Sequence, residues 1–143
     1  ISVDQIKGSI DLKTSFDSIM VNNVEGDAKL KNSHGEIDAI IQGNVVVKNS
    51  FDGTKITCFG EQLEADSAHG NLEIHMTTES FSKVKLENSF GDIKLHIPET
   101  NKPNIKMKTK FGETNSRVGS SDQSQQKVEL ENSHGDIDVY SLK

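Results

Sequence analysis

The amino-acid sequence predicts an all-β protein, a single-domain parallel β-solenoid of about seven short coils. Three observations predict this fold. One phrase recurs as near-copies, LKNSHGEIDA at residues 30–39, LENSFGDIKL at 86–95 and LENSHGDIDV at 130–139. Within each copy, apolar and polar residues alternate with the period of a strand that buries one face. Single glycines separate these stretches at regular intervals and mark the turns.

Weaker copies of the phrase fill the intervals, so the repeat covers residues 1–143 as one domain. They begin at Leu12, Val47, Ala65 and Met107. One apolar column recurs every 17 to 23 residues and consists of Ile19, Ile37, Thr54, Leu72, Ile93, Thr114 and Ile137. A unit this short cannot bury its own apolar face, so it must stack on its neighbours. Seven coils stacked in chain order, about 4.8 Å apart, predict a rod roughly 30 Å long.

Composition excludes several functional classes. The net charge is −6 with a pI near 5.3, there is no Trp and only one Tyr, so nucleic acid is not an expected partner. Cys58 is the single cysteine, which rules out an intramolecular disulfide and predicts a packed strand residue. No apolar run approaches the length of a transmembrane segment.

The phrase [ST]-[HF]-G-[DE]-I and the run GDIKLHIPETNKPNIKMKTKFG from Gly91 to Gly112 resemble a family of bacterial β-strand-repeat domains. The function of that family is unknown, and its members are often labelled adhesins. Asp92, Ile93 and Pro98 fill family positions together with the two glycines. The resemblance implies a right-handed β-helix-like solenoid in an exported or membrane-associated bacterial protein, without assigned catalytic residues.

The position before the turn glycine predicts an aromatic ladder at one corner. Its members are Phe16, His34, Phe51, His69, Phe90, Phe111 and His134. A shared metal ion is not expected, because histidines two coils apart lie roughly 9–10 Å from each other, whereas zinc needs ligands at about 2.1 Å. His75 and His96 occupy outward strand positions and are assigned to solvent. We therefore predict no metal site and no cofactor.

Two polar columns accompany the ladder. Asn32, Asn49, Asn88 and Asn132 are predicted to hydrogen-bond the corner, and serines follow them in most coils. A serine nucleophile would need one privileged copy beside a base, whereas the copies share one setting, so no catalytic residue is predicted.

Acidic residues follow the turn glycine in several coils. Asp92 and Glu113 would be neighbours about 5 Å apart with coils in chain order, a separation that suits a retaining glycosidase. An exposed turn is a poor place to raise a carboxyl pKa, so a solvated acidic corner is the favoured interpretation.

These features predict a non-catalytic extracytoplasmic domain, either adhesin-like or an envelope-associated scaffold, that binds a protein or glycan at the cell surface. The alternative is a carbohydrate-active or sugar-binding β-helix. Longer connectors in the later coils predict a partner-binding edge formed by Phe81, Lys83, Pro98, Asn101, Lys102, Pro103 and Asp122. Ile1 and Val3 precede Ile19 and Val21 by 18 residues, so upstream capping residues and end-to-end self-association are also expected.

Overall fold

A computed structural model describes residues 1–78, 81–98, 103–119, 121 and 123–142. These residues form 15 strands in two parallel sheets and contain no helix. The predicted all-β parallel solenoid is confirmed. β1 pairs with β3, with Val3 opposite Val21, as the 18-residue spacing predicted.

The strands follow one another in a regular alternation between the two sheets. They are β1 (Ser2–Ile6), β2 (Ile10–Thr14), β3 (Ile19–Val24), β4 (Ala28–Asn32), β5 (Ile37–Ile41), β6 (Val45–Asn49), β7 (Thr54–Cys58), β8 (Gln62–His69), β9 (Leu72–Met76), β10 (Lys83–Phe90), β11 (Ile93–Pro98), β12 (Asn104–Phe111), β13 (Thr114–Ser116), β14 (Lys127–His134) and β15 (Ile137–Leu142). Odd-numbered strands form the first sheet, and even-numbered strands form the second.

We define a coil as an even-numbered strand with the odd-numbered strand that follows it, so coil 1 is β2 with β3 and coil 7 is β14 with β15. Side chains alternate between core and solvent along each strand. In β4, for example, Ala28 and Leu30 are buried while Lys29 and Lys31 are exposed. The buried faces of the two sheets meet in one core of aliphatic columns.

The last two coils do not stack in chain order. β14 pairs with β10 on one side and β12 on the other, and β15 likewise lies between β11 and β13. Leu130 therefore faces Leu86 and Met107. Coil 7 is inserted between coils 5 and 6, so the expectation of consecutive stacking is wrong at this end.

The composition of coil 6 gives the physical reason. At the positions where the other coils carry buried residues, all aliphatic except Thr54 in coil 3, β13 carries Thr114 and Ser116, and both are exposed. The matching residues of β15, Ile137 and Val139, are buried. Burying an aliphatic side chain contributes about 1.5–3 kcal/mol, so the polar copy belongs at the end of the stack. A polar terminal repeat is also what caps a solenoid.

This insertion changes the path of the chain. Coil 6 follows coil 5 in the chain but lies two layers further along the stack, and coil 7 follows coil 6 but lies one layer back. All the strands stay parallel while the advance along the axis reverses between β13 and β14.

Five of the seven turns at the ladder corner adopt a left-handed backbone, at Gly35, Asp52, Gly70, Gly91 and Gly135. Gly135 has a φ of 125°, and a Cβ at that position would overlap the carbonyl of Gly91 in coil 5. In coil 3 this position is Asp52, which adopts a φ of 83°. Its carboxylate accepts a hydrogen bond from the backbone N–H of Gly35 at 2.8 Å. Aspartate tolerates this backbone region better than most residues, so the turn of coil 3 keeps its left-handed geometry without glycine.

Candidate functional site

The corner carries a continuous stack of seven aromatic rings, so the predicted ladder is confirmed. Neighbouring ring centroids lie 4.6 to 5.1 Å apart, and their planes are inclined by 13° to 20°. In order along the axis the rings belong to Phe16, His34, Phe51, His69, Phe90, His134 and Phe111. Phenyl and imidazole alternate throughout. That alternation depends on the insertion of coil 7, which places His134 between Phe90 and Phe111.

The ladder presents ring edges to solvent. Each interior ring has both faces against its neighbours, whereas Phe16 and Phe111 at the two ends are 77% and 66% exposed. Phe51 and Phe90 within the ladder are 42% and 45% exposed. The four phenyl edges and the imidazole edges between them thus form one aromatic strip on the surface.

Buried asparagines hold the turns from which the rings project. The Nδ2 group of Asn32 donates to the carbonyl of Asp17 at 2.8 Å, and that of Asn132 donates to the carbonyl of Gly91 at 2.7 Å. Each bond joins one coil to the turn of the coil before it in the stack. The predicted hydrogen-bonded corner is confirmed, and these amides have a structural role.

His34→Phe is expected to leave the fold intact, with stability changed by less than about 1 kcal/mol, because a phenyl ring preserves both stacking contacts. His34→Ser should cost more, since it removes the contacts to Phe16 and Phe51. Urea unfolding followed by circular dichroism measures both. A larger loss for His34→Phe than for His34→Ser would contradict the stacking role.

The carboxylates at the corner bind backbone, and they are not paired as the chain order suggested. Asp136 lies between Asp92 and Glu113 in the stack. The N–H of Glu113 donates to Oδ1 of Asp136 at 2.9 Å, and the N–H of Asp136 donates to Oδ1 of Asp92 at 3.0 Å. The prediction that Asp92 and Glu113 are neighbours is therefore wrong. The carboxylate separation that suited a retaining glycosidase does not exist between these two residues.

The outward face of the first sheet carries a second row of rings. The rings of His75 and His96 are stacked with centroids 4.3 Å apart and planes inclined by 5°, and Tyr140 follows at 5.0 Å from His96. The guanidinium of Arg117 lies 5.2 Å from the Tyr140 ring centroid, in cation–π range. All three rings are half-buried. The predicted outward position of His75 and His96 is confirmed, but their assignment to solvent is wrong, because the two rings are half-buried against each other.

Glu73 joins this row to form the cluster that could hold a metal ion. Its Oε1 atom lies 3.3 Å from Nε2 of His75. One donor atom each from Glu73, His75 and His96 lies within 4.8 Å of the others. Burial lowers the pKa of His96, and the neighbouring His75 lowers it further. Sequence reasoning missed this cluster, although the two histidines and Tyr140 occupy the same strand position, three residues after Leu72, Ile93 and Ile137.

Cys58 is a buried thiol in β7, as predicted. Its Sγ lies 3.5 Å from the carbonyl oxygen of Gly43, and burial raises the pKa of the thiol. A raised pKa lowers the fraction of reactive thiolate. Cys58 therefore packs in the core and is not a candidate nucleophile.

The predicted partner-binding edge is only partly described. Phe81 is 1% exposed, and Pro98 and Pro103 are buried, while Lys83 is exposed at the start of β10. The expectation that Phe81 projects from a polar loop is wrong, because its side chain fills the core beneath the connector. Asn101, Lys102 and Asp122 lie outside the described residues. Partner binding at this edge stays a prediction.

The outward face of the second sheet forms shallow open grooves. One has a volume of about 240 Å³ and is lined by Val46, Lys48, Glu64 and Lys85, among others. Lys85 forms an ion pair with Glu87 at 3.5 Å. Two lysines and three carboxylates line this groove, which gives it the character of a solvated polar surface.

Stacked coils and repeated ladders define a parallel β-solenoid repeat domain. The profile of the Toastrack family, DUF4097, matches residues 1–140, and the chain therefore belongs to this repeat-type family of unknown function. No curated protein and no solved structure matches the chain. Across the described residues, no helix has the length and hydropathy needed to cross a membrane.

Proposed function

We propose that this domain is a non-catalytic scaffold, an extracytoplasmic adhesin-like or envelope-associated module that binds a protein partner along its aromatic corner. The exposed row of four phenyl and three imidazole rings carries this proposal. Aromatic side chains are enriched in protein interfaces and supply much of their binding energy. The adhesin-like role and the location are supported by the resemblance to bacterial surface-associated repeat domains.

The orientation of the rings favours a protein over a glycan. A sugar ring stacks on a free aromatic face, but each interior ring of the ladder has both faces against its neighbours. Phe16 and Phe111 alone among these rings have an outer face without a stacked partner in the ladder. Ring edges along the corner instead suit apolar side chains of a protein. The imidazoles between them add polar nitrogen atoms, of which Nδ1 of His34 already lies 3.3 Å from the carbonyl oxygen of Ser15.

The settings of the polar groups support a non-catalytic role. The corner carboxylates of Asp92 and Asp136 accept hydrogen bonds from turn N–H groups, and the asparagine amides bond turn carbonyls. These carboxylates and amides stabilise the contact between neighbouring coils. A sugar-binding module is the alternative, and the terminal faces of Phe16 and Phe111 are what favours it.

The double variant Phe51→Ser/Phe90→Ser is expected to weaken binding to envelope fractions of bacteria that carry the protein at least tenfold, because loss of an aromatic anchor typically costs more than about 1 kcal/mol. Quantitative co-sedimentation measures this, with cross-linking and mass spectrometry to identify the bound protein. Met20→Ser/Val46→Ser is the matched control, since both side chains are exposed but lie off the ladder.

Equal losses for the two double variants would contradict the ladder as the binding face. A glycan array discriminates the alternative. Binding of a glycan that is lost in Phe16→Ser/Phe111→Ser but kept in Phe51→Ser/Phe90→Ser would favour the sugar-binding function over the proposed one.

A further inference from the structure

We propose that Glu73, His75 and His96 form a binding site for a divalent transition-metal ion, with Zn²⁺ as the representative ligand, on the outward face of the first sheet. Two imidazoles and one carboxylate are a donor set that suits zinc, and water would complete the coordination. The cluster is separate from the aromatic ladder at the corner. The inference therefore goes beyond the proposed scaffold function and does not depend on it.

The donor distances are close to those that an ion requires. Zinc binds imidazole nitrogen and carboxylate oxygen at about 2.0–2.2 Å, so two donors of a tetrahedral ion lie about 3.4 Å apart. Nε2 of His75 and Oε1 of Glu73 are already 3.3 Å apart. The whole set lies within 4.8 Å. The His96 donor thus has to approach by at most about 1.4 Å, a movement that rotation of one half-buried side chain provides.

Metal binding has to disturb the ring stack. The rings of His75 and His96 are almost parallel, and their centroids lie 4.3 Å apart. An imidazole nitrogen binds a metal ion in the plane of its own ring, and one ion cannot lie in two separate parallel planes. His96 must therefore turn, and its contact with Tyr140 on the other side changes with it. Tyr140 is the single tyrosine in a chain without tryptophan, so its fluorescence reports this movement directly.

Charges beside the site set its strength. Lys55 and Lys94 flank Glu73 on the two neighbouring strands, and their positive charges disfavour the binding of a cation. The carboxylate of Glu73 offsets one of these two charges and binds the ion directly. We therefore expect affinity in the micromolar range rather than that of a buried structural zinc site, because exposed flanking lysines weaken an open three-ligand site.

The corner histidines supply a matched control within the same chain. His34 and His69 are separated by the ring of Phe51, so they cannot reach one ion. They are of the same residue type as the proposed ligands and are more exposed to titrant, but among the described residues neither belongs to a group of three donors that could hold an ion. Binding that depends on ligand geometry must spare these two positions.

The test titrates the full chain, without any affinity tag, with Zn²⁺ by isothermal calorimetry and by Tyr140 fluorescence. One ion per chain is expected, with a change in fluorescence that saturates at the same ratio. His96→Phe keeps the stack on His75 and Tyr140 but removes a donor, so it should weaken binding at least tenfold while the fold persists. Glu73→Gln should also weaken binding, and His34→Phe should leave it unchanged.

Three results would overturn the site. They are the absence of Zn²⁺ binding to the wild-type chain at millimolar concentration, unchanged binding in His96→Phe, and loss of binding in His34→Phe. Circular dichroism of each variant confirms that a loss of binding does not come from unfolding.

Discussion

Ile93→Asp is expected to unfold the domain at 25 °C, and Ile37→Asp should do the same. Ile93 is fully buried in β11, with Leu72 and Ile137 as its neighbours in the adjoining strands. A carboxylate at this position has no cation or donor within the apolar column, and burial of such a group costs more than about 4 kcal/mol. The total stability of a domain is only about 5–15 kcal/mol.

Met20→Asp is the matched control for this prediction. Met20 is an apolar residue that follows a buried isoleucine in β3, but its side chain is 59% exposed. The same added charge there should change stability by less than about 1 kcal/mol. Circular dichroism and urea unfolding distinguish the two outcomes. A folded Ile93→Asp variant with unchanged stability would contradict the buried column.

The solenoid could be predicted from the sequence because its repeat and its burial have the same period. Ile37 and Ile93 occupy the same position in near-identical phrases. Alternation within each phrase assigns one set of residues to the core without reference to distant contacts. The ladder followed from the same alignment, since one aromatic residue precedes the turn in every coil. Each of these inferences needs only local spacing.

The order of the coils could not be predicted in this way, because neighbouring copies are nearly interchangeable partners. Leu130 packs as well on Leu86 as Met107 would, so pattern matching finds no preference between them. The preference comes from two weaker signals. Thr114 and Ser116 make coil 6 unsuitable for the interior, and the alternation of Phe and His is complete only with coil 7 inserted.

The cluster of Glu73, His75 and His96 was missed for another reason. Its residues are outward-facing, where alternation predicts only solvent, although β9 and β11 are neighbours in chain order as well as in the structure. Only the ring on the other side of His96 depends on the order of the coils. With coils in chain order His96 would lie beside the strand leading to Arg117, whereas it contacts Tyr140 and Arg117 lies over that ring instead. For Phe81 the error has the opposite direction. As a single apolar residue in a polar connector it was assigned to the surface, but its side chain is buried in the core.

The double variant Lys85→Cys/Glu129→Cys is expected to form an intramolecular disulfide in nearly every molecule under mild oxidation. Lys85 and Glu129 are in-register partners in β10 and β14. Partners in adjacent strands lie about 4.8 Å apart, within the Cα separation of about 4.4–6.8 Å that a disulfide accepts. Glu129→Cys/Lys106→Cys should form one equally well, because Lys106 is the partner of Glu129 in β12.

Lys85→Cys/Lys106→Cys is the discriminating pair. In the observed order coil 7 separates these residues by two strand spacings, about 9.6 Å, which is beyond the reach of a disulfide. This pair should therefore stay reduced, whereas consecutive stacking would make it the one that closes. Cys58 does not compete, since its thiol is buried. Thiol titration and peptide mapping after oxidation measure the three yields. Closure of the Lys85→Cys/Lys106→Cys pair, together with failure of Lys85→Cys/Glu129→Cys, would show that the coils follow chain order and that coil 6 is not the terminal cap.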